Sequence, residues 1–408
     1  MTPQNLKNLL PLFMVIFIDS MGLAILFPIL NPICMDPLNG IFGAGVSLST
    51  RNLFYGLILC VYPLAMFFAA PVLGEMSDQI GRKKVLLICL LGACASYALS
   101  GFAVEIASVW LLIASRIVAG LTAGSQPIAQ AAVIDVSTPE EKAKNLSLIM
   151  FPACLGFVAG PLAGSFFSQS SVVSWFSLST PLYFSSLFSL FSAFLLWAWF
   201  SETFTHTHKL VLKLHRGVEV FLIAFKNHSI RRLSIIYLCL QLGWACYFQF
   251  VSLFLTHRYA YDSVKIGYFM AVLGVGFALG LSVVIRVATK YFSTYMIVLW
   301  SFIIASVSVF LTVVPEFAIT AWIAALPVAI VMALAYVLVL TLYSNLADIA
   351  SQGWVMGITA SVASLAWAVM AIVSGELENL GQSMPLYTAA IFIGISAIIL
   401  WFSRKQLS

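Results

Sequence analysis

The sequence predicts an all-α integral membrane protein with twelve transmembrane helices in two six-helix halves. The 408 residues are 62% hydrophobic and only 9% charged, whereas a soluble domain has about 25% charged residues. Long uncharged runs recur along the chain, and such runs cross membranes as helices because lipid offers backbone groups no other partner. Cations concentrate in alternate loops between these runs, as expected for the cytoplasmic side.

The predicted spans are each near the ~20 residues that a bilayer requires. The first run is too long for the apolar core of a signal peptide and has no small-residue cleavage site, so we expect it to be a span. In order, the spans cover roughly residues 9–33, 53–75, 85–105, 109–135, 146–168, 177–200, 231–256, 263–286, 294–314, 317–346, 352–376 and 385–403.

The loop charges test this arrangement. With the N-terminus inside, 16 of the 20 lysines and arginines fall in cytoplasmic segments and only three fall in outer loops. This bias predicts an even number of spans with both termini in the cytoplasm. The net charge of +5 then follows from membrane-flanking loops, so the lipid bilayer is the expected partner and nucleic acid is not. We expect a monomer.

The longest polar stretch divides the chain. Residues 1–200 form the predicted N-terminal half and residues 231–408 the C-terminal half. Residues 201–230 form a cytoplasmic linker, with a surface helix expected around residues 210–225. Two halves related by a pseudo-two-fold axis often enclose a midplane binding site.

A short charged turn joins the second and third spans. Its pattern is Gly74, Asp78, Gly81 and Arg82, followed by two lysines. So short a turn makes the two helices antiparallel neighbours, and its cations place it in the cytoplasm. A loop that only sets topology would explain the cations but not the two glycines or Asp78.

Asp19 and Arg116 are charged residues inside predicted spans, where charges are costly and point to function. Asp19 lies ~15 Å along the first helix, and Arg116 lies ~10 Å from the opposite face. Their depths differ by about 5 Å in a ~30 Å core, so they can pair directly or through water. An acid whose proton affinity depends on such a partner suits a proton-coupled carrier. A purely structural pair is the alternative.

Polar and aromatic residues deep within other spans are candidates for contact with a small-molecule substrate. Pocket lining and plain helix packing both explain them, and an apolar pocket with a few amides suits a bulky, amphipathic organic cargo. The candidates are Gln126, Gln130, Gln241, Trp244, Gln249, Tyr336 and Trp367.

The fifth span contains glycine at every fourth position. Gly156, Gly160 and Gly164 share one helix face, with Pro161 beside them. Such a face lets another helix approach closely. A generic packing seam is the alternative reading.

Other chemistry is not indicated. The seven cysteines lie in or at the edge of apolar runs without metal-ligand spacing. His206 and His208 lack the carboxylate or thiol cluster that a metal site needs. With no nucleophile elbow or phosphate loop either, the sequence predicts no metal, no cofactor and no enzyme.

Several segments resemble a known family. The turn at residues 74–84 is similar to the signature between the second and third helices of Major Facilitator Superfamily transporters. Residues 18–30, Arg116 to Gly120 and Gly156 to Gly164 resemble motifs of its drug:proton antiporter branch, and most of all its tetracycline-exporter group. The clear similarity covers roughly residues 9–168, and the second half resembles the family only in helix pattern.

This resemblance implies roles for the named residues. Asp19 and Arg116 would couple transport to protons, the only coupling ion expected. Asp78 would face the start of the eleventh helix near Gln352 and Gly353. Arg82 would pair with Asp135, which would latch the cytoplasmic side. The family further implies a multi-pass protein of the bacterial inner membrane.

One departure concerns the cargo. Tetracycline exporters have an acid before Tyr-Ala in the third helix, where this chain has Ser96 before Tyr97. We therefore expect export of drug-like compounds or a secreted metabolite such as a siderophore, rather than of tetracycline. A proton-coupled importer of a nutrient or siderophore is the alternative.

Overall fold

The computed structural model describes residues 3–135, 139–203, 216–226, 230–315, 317–345 and 352–404. These residues form sixteen α-helices and one π-helical segment, Gly280–Val284, and contain no β-strand. The helices are α1 Pro3–Ala24, α2 Leu26–Met35, α3 Leu48–Ile80, α4 Arg82–Glu105, α5 Val109–Leu121, α6 Ser125–Asp135, α7 Pro139–Phe167, α8 Thr180–Trp199, α9 Arg216–Lys226, α10 Arg231–Tyr259, α11 Ser263–Leu279, α12 Ile285–Tyr291, α13 Thr294–Val313, α14 Ala318–Asn345, α15 Gln352–Leu380 and α16 Met384–Phe402.

The predicted all-α membrane fold is confirmed. Eleven segments of the described chain are long and apolar enough to cross a membrane, and a shorter apolar segment, Phe151–Phe167, lies in α7. Together they correspond to the twelve predicted spans. The protein is therefore a multi-pass membrane protein.

Two predicted spans are interrupted rather than continuous. The span predicted at 9–33 breaks at Ile25, between α1 and α2. Pro28 explains this break, because its ring crowds the carbonyl four residues earlier and it has no N–H to donate. The span predicted at 109–135 breaks at residues 122–124. There the hydroxyl of Thr122 donates to the carbonyls of Val118 and Ala119, at 3.0 and 3.2 Å.

Several other spans are longer than predicted, among them those of α10 and α15. The span predicted to end at residue 256 continues to Tyr259, where Ala260 ends α10 in a left-handed conformation (φ 50°). The span predicted to end at residue 376 continues to Leu380. These extra turns place His257 and Glu378 inside helices.

The chain forms two compact units. The first contains Met1–Ser47 and Leu64–Gly217, and the second contains Leu48–Pro63 and Val218–Ser408. Helix α3 thus contributes a part to each. The predicted boundaries at 200 and 231 stay a prediction. Helix α9 falls within the predicted linker, whereas residues 204–215 lie outside the described part of the chain.

In the first unit, α1 is the central element. It packs against α6, α7 and α8, while α4 packs against α5 and α8. Leu12, Val15 and Ile16 of α1 are fully buried in a core that also contains Leu86 and Val133. This packing positions the polar residues on α1.

In the second unit, α10 packs against α14, α15 and α16. The first part of α3 lies directly on α15, because a side chain at Gly56 would come within 2.5 Å of the Ala371 carbonyl oxygen. The π-helical segment packs on α14, where a side chain at Gly280 would come within 2.7 Å of the Ile330 carbonyl oxygen.

Candidate functional site

Asp19 is held by the helix break between α5 and α6. The hydroxyl of Ser125 donates to Asp19 Oδ2 at 2.6 Å. Ser125 is the first residue of α6, and the N-terminus of a helix favours a nearby negative charge. The half-buried carboxylate therefore has both a hydroxyl donor and a helix dipole to stabilise its charged form.

Arg116 and Tyr97 complete this polar group in the first unit. Arg116 is buried on α5. Tyr97 lies on α4, and its hydroxyl packs over the α-carbon of Gly22, one turn beyond Asp19. The pairing of Asp19 with Arg116, directly or through water, and the coupling role of the two residues stay predictions.

The glycine face of α7 packs against the part of α1 that contains Asp19. Side chains added at Gly156, Gly160 or Gly164 would come within 2.5 Å of the carbonyl oxygens of Phe17, Met21 and Ile25, respectively. The helix that these glycines admit is therefore α1, and their spacing brings the two backbones together over two turns. Pro161 is buried within the same stretch.

The charged turn centres on Arg82. The guanidinium donates from Nε to Asp135 Oδ2 at 3.1 Å and from Nη1 to Ser77 Oγ at 2.6 Å. It also forms an ion pair with Asp78, one helical turn earlier. The structure thus brings together Arg82, Asp78 and Asp135, while their action as a latch stays a prediction.

Glu202 is a member of this cluster that the sequence did not indicate. Its carboxylate accepts the backbone N–H groups of Arg82 and Lys83, at 2.9 and 3.1 Å, and so caps α4. Gly81 has a φ of 105°, and a side chain there would collide with the same carboxylate. A carboxylate that follows α8 gives no local signal of its distant partner.

The other predictions about the turn have mixed outcomes. A side chain added at Gly74 would meet no atom of the described residues within 4 Å, so packing there does not require glycine. The predicted contact of Asp78 with Gln352 and Gly353 depends on side chains outside the described part of the chain.

Trp244 and Trp367 belong to one aromatic cluster in the second unit. The ring of Phe248 lies 5.4 Å from the ring of Trp244 and 5.9 Å from that of Trp367, and Tyr247 and Phe277 also contact Trp244. Trp244 is buried and Trp367 half-buried. We call these five residues the aromatic cluster.

Two predicted glutamines adjoin the aromatic cluster on α10. Gln249 donates to the Trp367 carbonyl oxygen at 3.2 Å, and Gln241 donates to the Tyr237 hydroxyl at 3.2 Å. The side-chain oxygen of Gln249 is buried and accepts no hydrogen bond from the described residues. Tyr336, on α14, is half-buried in the same unit, while the half-buried Gln126 and Gln130 lie on α6 in the first unit.

The described residues contain no cluster of three or more possible metal ligands. His206 and His208 lie outside them. The structure reveals one buried acid–imidazole pair that the sequence did not indicate. His257 Nδ1 lies 2.9 Å from Glu378 Oε1.

A comparison with protein families identifies the fold. A family model described as the Major Facilitator Superfamily matches residues 12–371. The chain belongs to the Major Facilitator Superfamily. Members of this superfamily are transporters rather than enzymes, so the expectations of a transporter fold and of no enzymatic activity are confirmed.

Curated relatives confirm the predicted resemblance to tetracycline exporters. The tetracycline resistance protein of class B from Escherichia coli is 28% identical over 280 residues, which are 67% of this chain and 65% of that protein. The alignment thus spans slightly less than two thirds of that relative's length.

Solved structures of the superfamily share the fold. The human organic anion transporter MFSD10 (TETRAN) is 20% identical, with a TM-score of 0.73 over 98% of this chain and 100% of that one. A D-xylose-proton symporter is 14% identical, with a TM-score of 0.72 over 97% of each chain. At these identities the likeness concerns the fold alone.

Proposed function

We propose that this chain is a proton-coupled exporter of small organic molecules, located in a bacterial inner membrane with both termini in the cytoplasm. The observation that supports it most is Asp19. A carboxylate within a membrane span is costly, yet here it is bonded by Ser125 and lies at the start of α6. A group that can exchange a proton is thus built into α1 beside its close contact with α7.

The packing around Asp19 suggests how proton binding affects the helices. The glycine face of α7 contacts the α1 backbone on both sides of Asp19, and α6 begins at its carboxylate. Protonation removes the charge that Ser125 and the helix dipole stabilise. It therefore changes how α1 and α6 are held together, which is what alternating access requires of a coupling site.

The aromatic cluster is the proposed cargo contact in the second unit. Stacked aromatic surface with nearby amides binds flat, apolar molecules that have a few polar groups. The buried oxygen of Gln249 offers such a molecule a hydrogen-bond acceptor. Drug-like compounds or a secreted metabolite such as a siderophore fit this chemistry.

Export is proposed on the evidence of the relatives, which include a tetracycline resistance protein. Tetracycline itself is not proposed as cargo, because the fully buried Ser96 occupies the position of that group's third-helix acid. Import in the same fold is the alternative, since a proton symporter has this fold as well.

Transport assays in vesicles of both orientations test the proposal. We expect labelled candidate compounds to accumulate in inverted vesicles when a pH gradient is imposed, and not in right-side-out vesicles. Asp19→Asn should abolish the gradient-driven part, while Asp36→Asn, a carboxylate beyond the end of α2, should not. Full gradient-driven transport in the Asp19→Asn variant, with normal membrane insertion, would refute proton coupling through Asp19.

A further inference from the structure

The second unit contains a buried acid–imidazole pair that the proposed coupling mechanism does not use. His257 on α10 and Glu378 on α15 meet at 2.9 Å, and their side chains are 13% and 1% exposed. The other carboxylate oxygen, Glu378 Oε2, is buried and has no hydrogen-bond partner among the described residues. The pair thus joins two membrane helices through groups that both bind protons.

Charge balance determines how many protons this pair binds. With no proton, a buried carboxylate faces a neutral imidazole, and Glu378 Oε2 receives no compensating hydrogen bond. With two protons, a buried imidazolium faces a neutral acid. Each state leaves one uncompensated charge in an apolar region, which is costly. Only the state with one proton leaves no net charge, whether as an ion pair or as two neutral groups.

Other ionisable groups lie on the elements packed against the pair. Arg258 lies over the rings of Phe254 and Tyr259, 5.7 and 5.9 Å from their centroids. The carboxylate of Glu376 accepts from Asn379, and the buried Arg51 lies on α3 beside Asn52. The ionisable side chains on the elements that surround the pair are Arg51 and Tyr55 on α3, Cys246, Arg258 and Tyr259 on α10, Tyr261, Asp262 and Lys265 at the start of α11, Glu376 on α15 and Tyr387 on α16.

The local packing links this proton to the contact between helices. One helical turn before Glu378, the Ser374 hydroxyl of α15 contacts Cys246 of α10 at 3.0 Å. Asn52 of α3 donates to Asn379 of α15 at 3.0 Å. Polar contacts with α10 and with α3 thus hold the end of α15 on two sides. Among the contacts named here, His257–Glu378 joins an acid to a base.

We propose that His257 and Glu378 form a second proton-binding site, which retains one shared proton while α10 and α15 are packed together and releases it when they separate. Separation admits water, which solvates the carboxylate and the imidazole individually and removes the need for the shared proton. The site lies at the predicted outer ends of both helices, so the proton exchanges with the outer face. Its operation does not depend on Asp19.

Infrared difference spectroscopy on the full-length protein in liposomes tests proton binding, with the proton itself as the probe. The Asp19→Asn background removes the other proposed site. We expect a pH-dependent carboxylic-acid band in this background and its loss on adding Glu378→Gln. Glu376→Gln, which alters an exposed carboxylate two residues away, should leave the band intact. A band unchanged by Glu378→Gln would overturn the proposal.

His257→Gln provides a second variant that keeps a hydrogen-bonding side chain. Because the imidazole lies 2.9 Å from Glu378 Oε1, its removal should move the midpoint of the Glu378 band by about one pH unit or more. An unmoved midpoint would show that the imidazole does not share the proton. Because these measurements are made without the Asp19 carboxylate, they test proton binding by His257 and Glu378 separately from the proposed coupling site at Asp19.

Hydrogen–deuterium exchange tests the link to helix packing. In the wild type, protection of the backbone amides at residues 254–259 and 374–380, measured relative to their intrinsic exchange rate at each pH, should be greatest at intermediate pH and fall on either side. In Glu378→Gln this dependence should disappear. Protection that is equally independent of pH in both proteins would mean that the pair only holds the helices together, and would overturn the proposal.

Discussion

At the scale of single residues, Gly74 and Gly81 have different structural requirements although both belong to the same sequence motif. Gly81 has a positive φ of 105° and lies against the Glu202 carboxylate, whereas Gly74 lies within α3 with open space beside it. A motif in the sequence presents the two positions as equivalent. The structure shows that the backbone conformation at residue 81 favours glycine, whereas local packing at residue 74 does not require it.

We predict opposite effects of alanine at these two positions. Gly81→Ala should lower the free energy of unfolding by about 1–3 kcal/mol, because a β-carbon is strained at that φ and collides with Glu202. Gly74→Ala should leave stability unchanged or raise it by up to about 1 kcal/mol, because alanine favours a helix. Denaturation in detergent measures both, and equal losses in the two variants would contradict the assignment.

Tyr97 is the second residue-scale result. Its hydroxyl covers Gly22, so Gly22→Ala should force the ring away from Asp19 and destabilise the protein by about 1–3 kcal/mol. Tyr97→Leu removes the colliding ring, so Gly22→Ala should cost much less in that background. Thermal unfolding of the wild type, the two single variants and the double variant measures these losses as a double-mutant cycle. Additive losses would mean that Gly22 and Tyr97 do not contact each other.

The sequence indicated the charged candidate residues and, through the family resemblance, the pairing of Arg82 with Asp135, but not their other partners. Asp19, Arg82 and Asp135 stand out because a charge in or next to an apolar run is unusual. Ser125, Tyr97 and Glu202 do not, because serine, tyrosine and a loop glutamate are ordinary in their local context. His257 and Glu378 lay just beyond two predicted span ends, and their contact joins residues 121 positions apart.

At the scale of helices, long apolar runs specified where spans lie, but proline and threonine determined where they break. The break between α5 and α6 places Ser125 against Asp19, the proposed coupling residue. Hydropathy alone does not reveal it, since apolar residues continue on both sides of the turn. The regular glycines of α7 predicted a close helix contact, but identifying α1 as the partner required the structure.

The contact between α1 and α7 yields a helix-scale prediction. Gly160→Ala should cost about 1–3 kcal/mol of stability, because the new β-carbon would come within 2.5 Å of the Met21 carbonyl oxygen. Val158→Ile adds volume on the same helix at a half-buried position about 160° around the helix axis from Gly160, and should cost less. Thermal denaturation of the two variants decides between them. A larger loss for Val158→Ile would mean that the glycine face is not the tightest contact.

At the scale of the whole molecule, we predict that Trp244 contributes to cargo binding rather than to proton coupling. Trp244→Ala should raise the KM for cargo about 10-fold, as expected for loss of a buried aromatic contact worth ~1.4 kcal/mol. Proton-coupled uptake at saturating cargo should change little. Trp401, which is 58% exposed on α16, is the matched control, and an equal effect of Trp401→Ala would contradict the cargo assignment.

Conformational control gives the last prediction. If the cluster around Arg82 latches the cytoplasmic side, Arg82→Ala should increase labelling of cysteines introduced along the predicted inner cavity. Asp135→Asn should produce a smaller increase, because Arg82 also contacts Ser77 and Asp78. Labelling by a membrane-impermeant maleimide in inverted vesicles measures it. Unchanged labelling in both variants would mean that the turn only sets topology.

The π-helical segment at Gly280–Val284 is a place where the chain can lose one residue without a change in the flanking helices. A π turn contains one more residue than the α-helical turn it replaces. Deleting one residue from this segment can therefore restore a regular α-helix while α11 and α12 keep their orientations. The same deletion elsewhere in α11 would rotate all later side chains by about 100°. In homologous chains, single-residue insertions and deletions between these two helices should concentrate here, and a scanning-deletion library read out by the amount of protein in the membrane fraction would reveal the same tolerance.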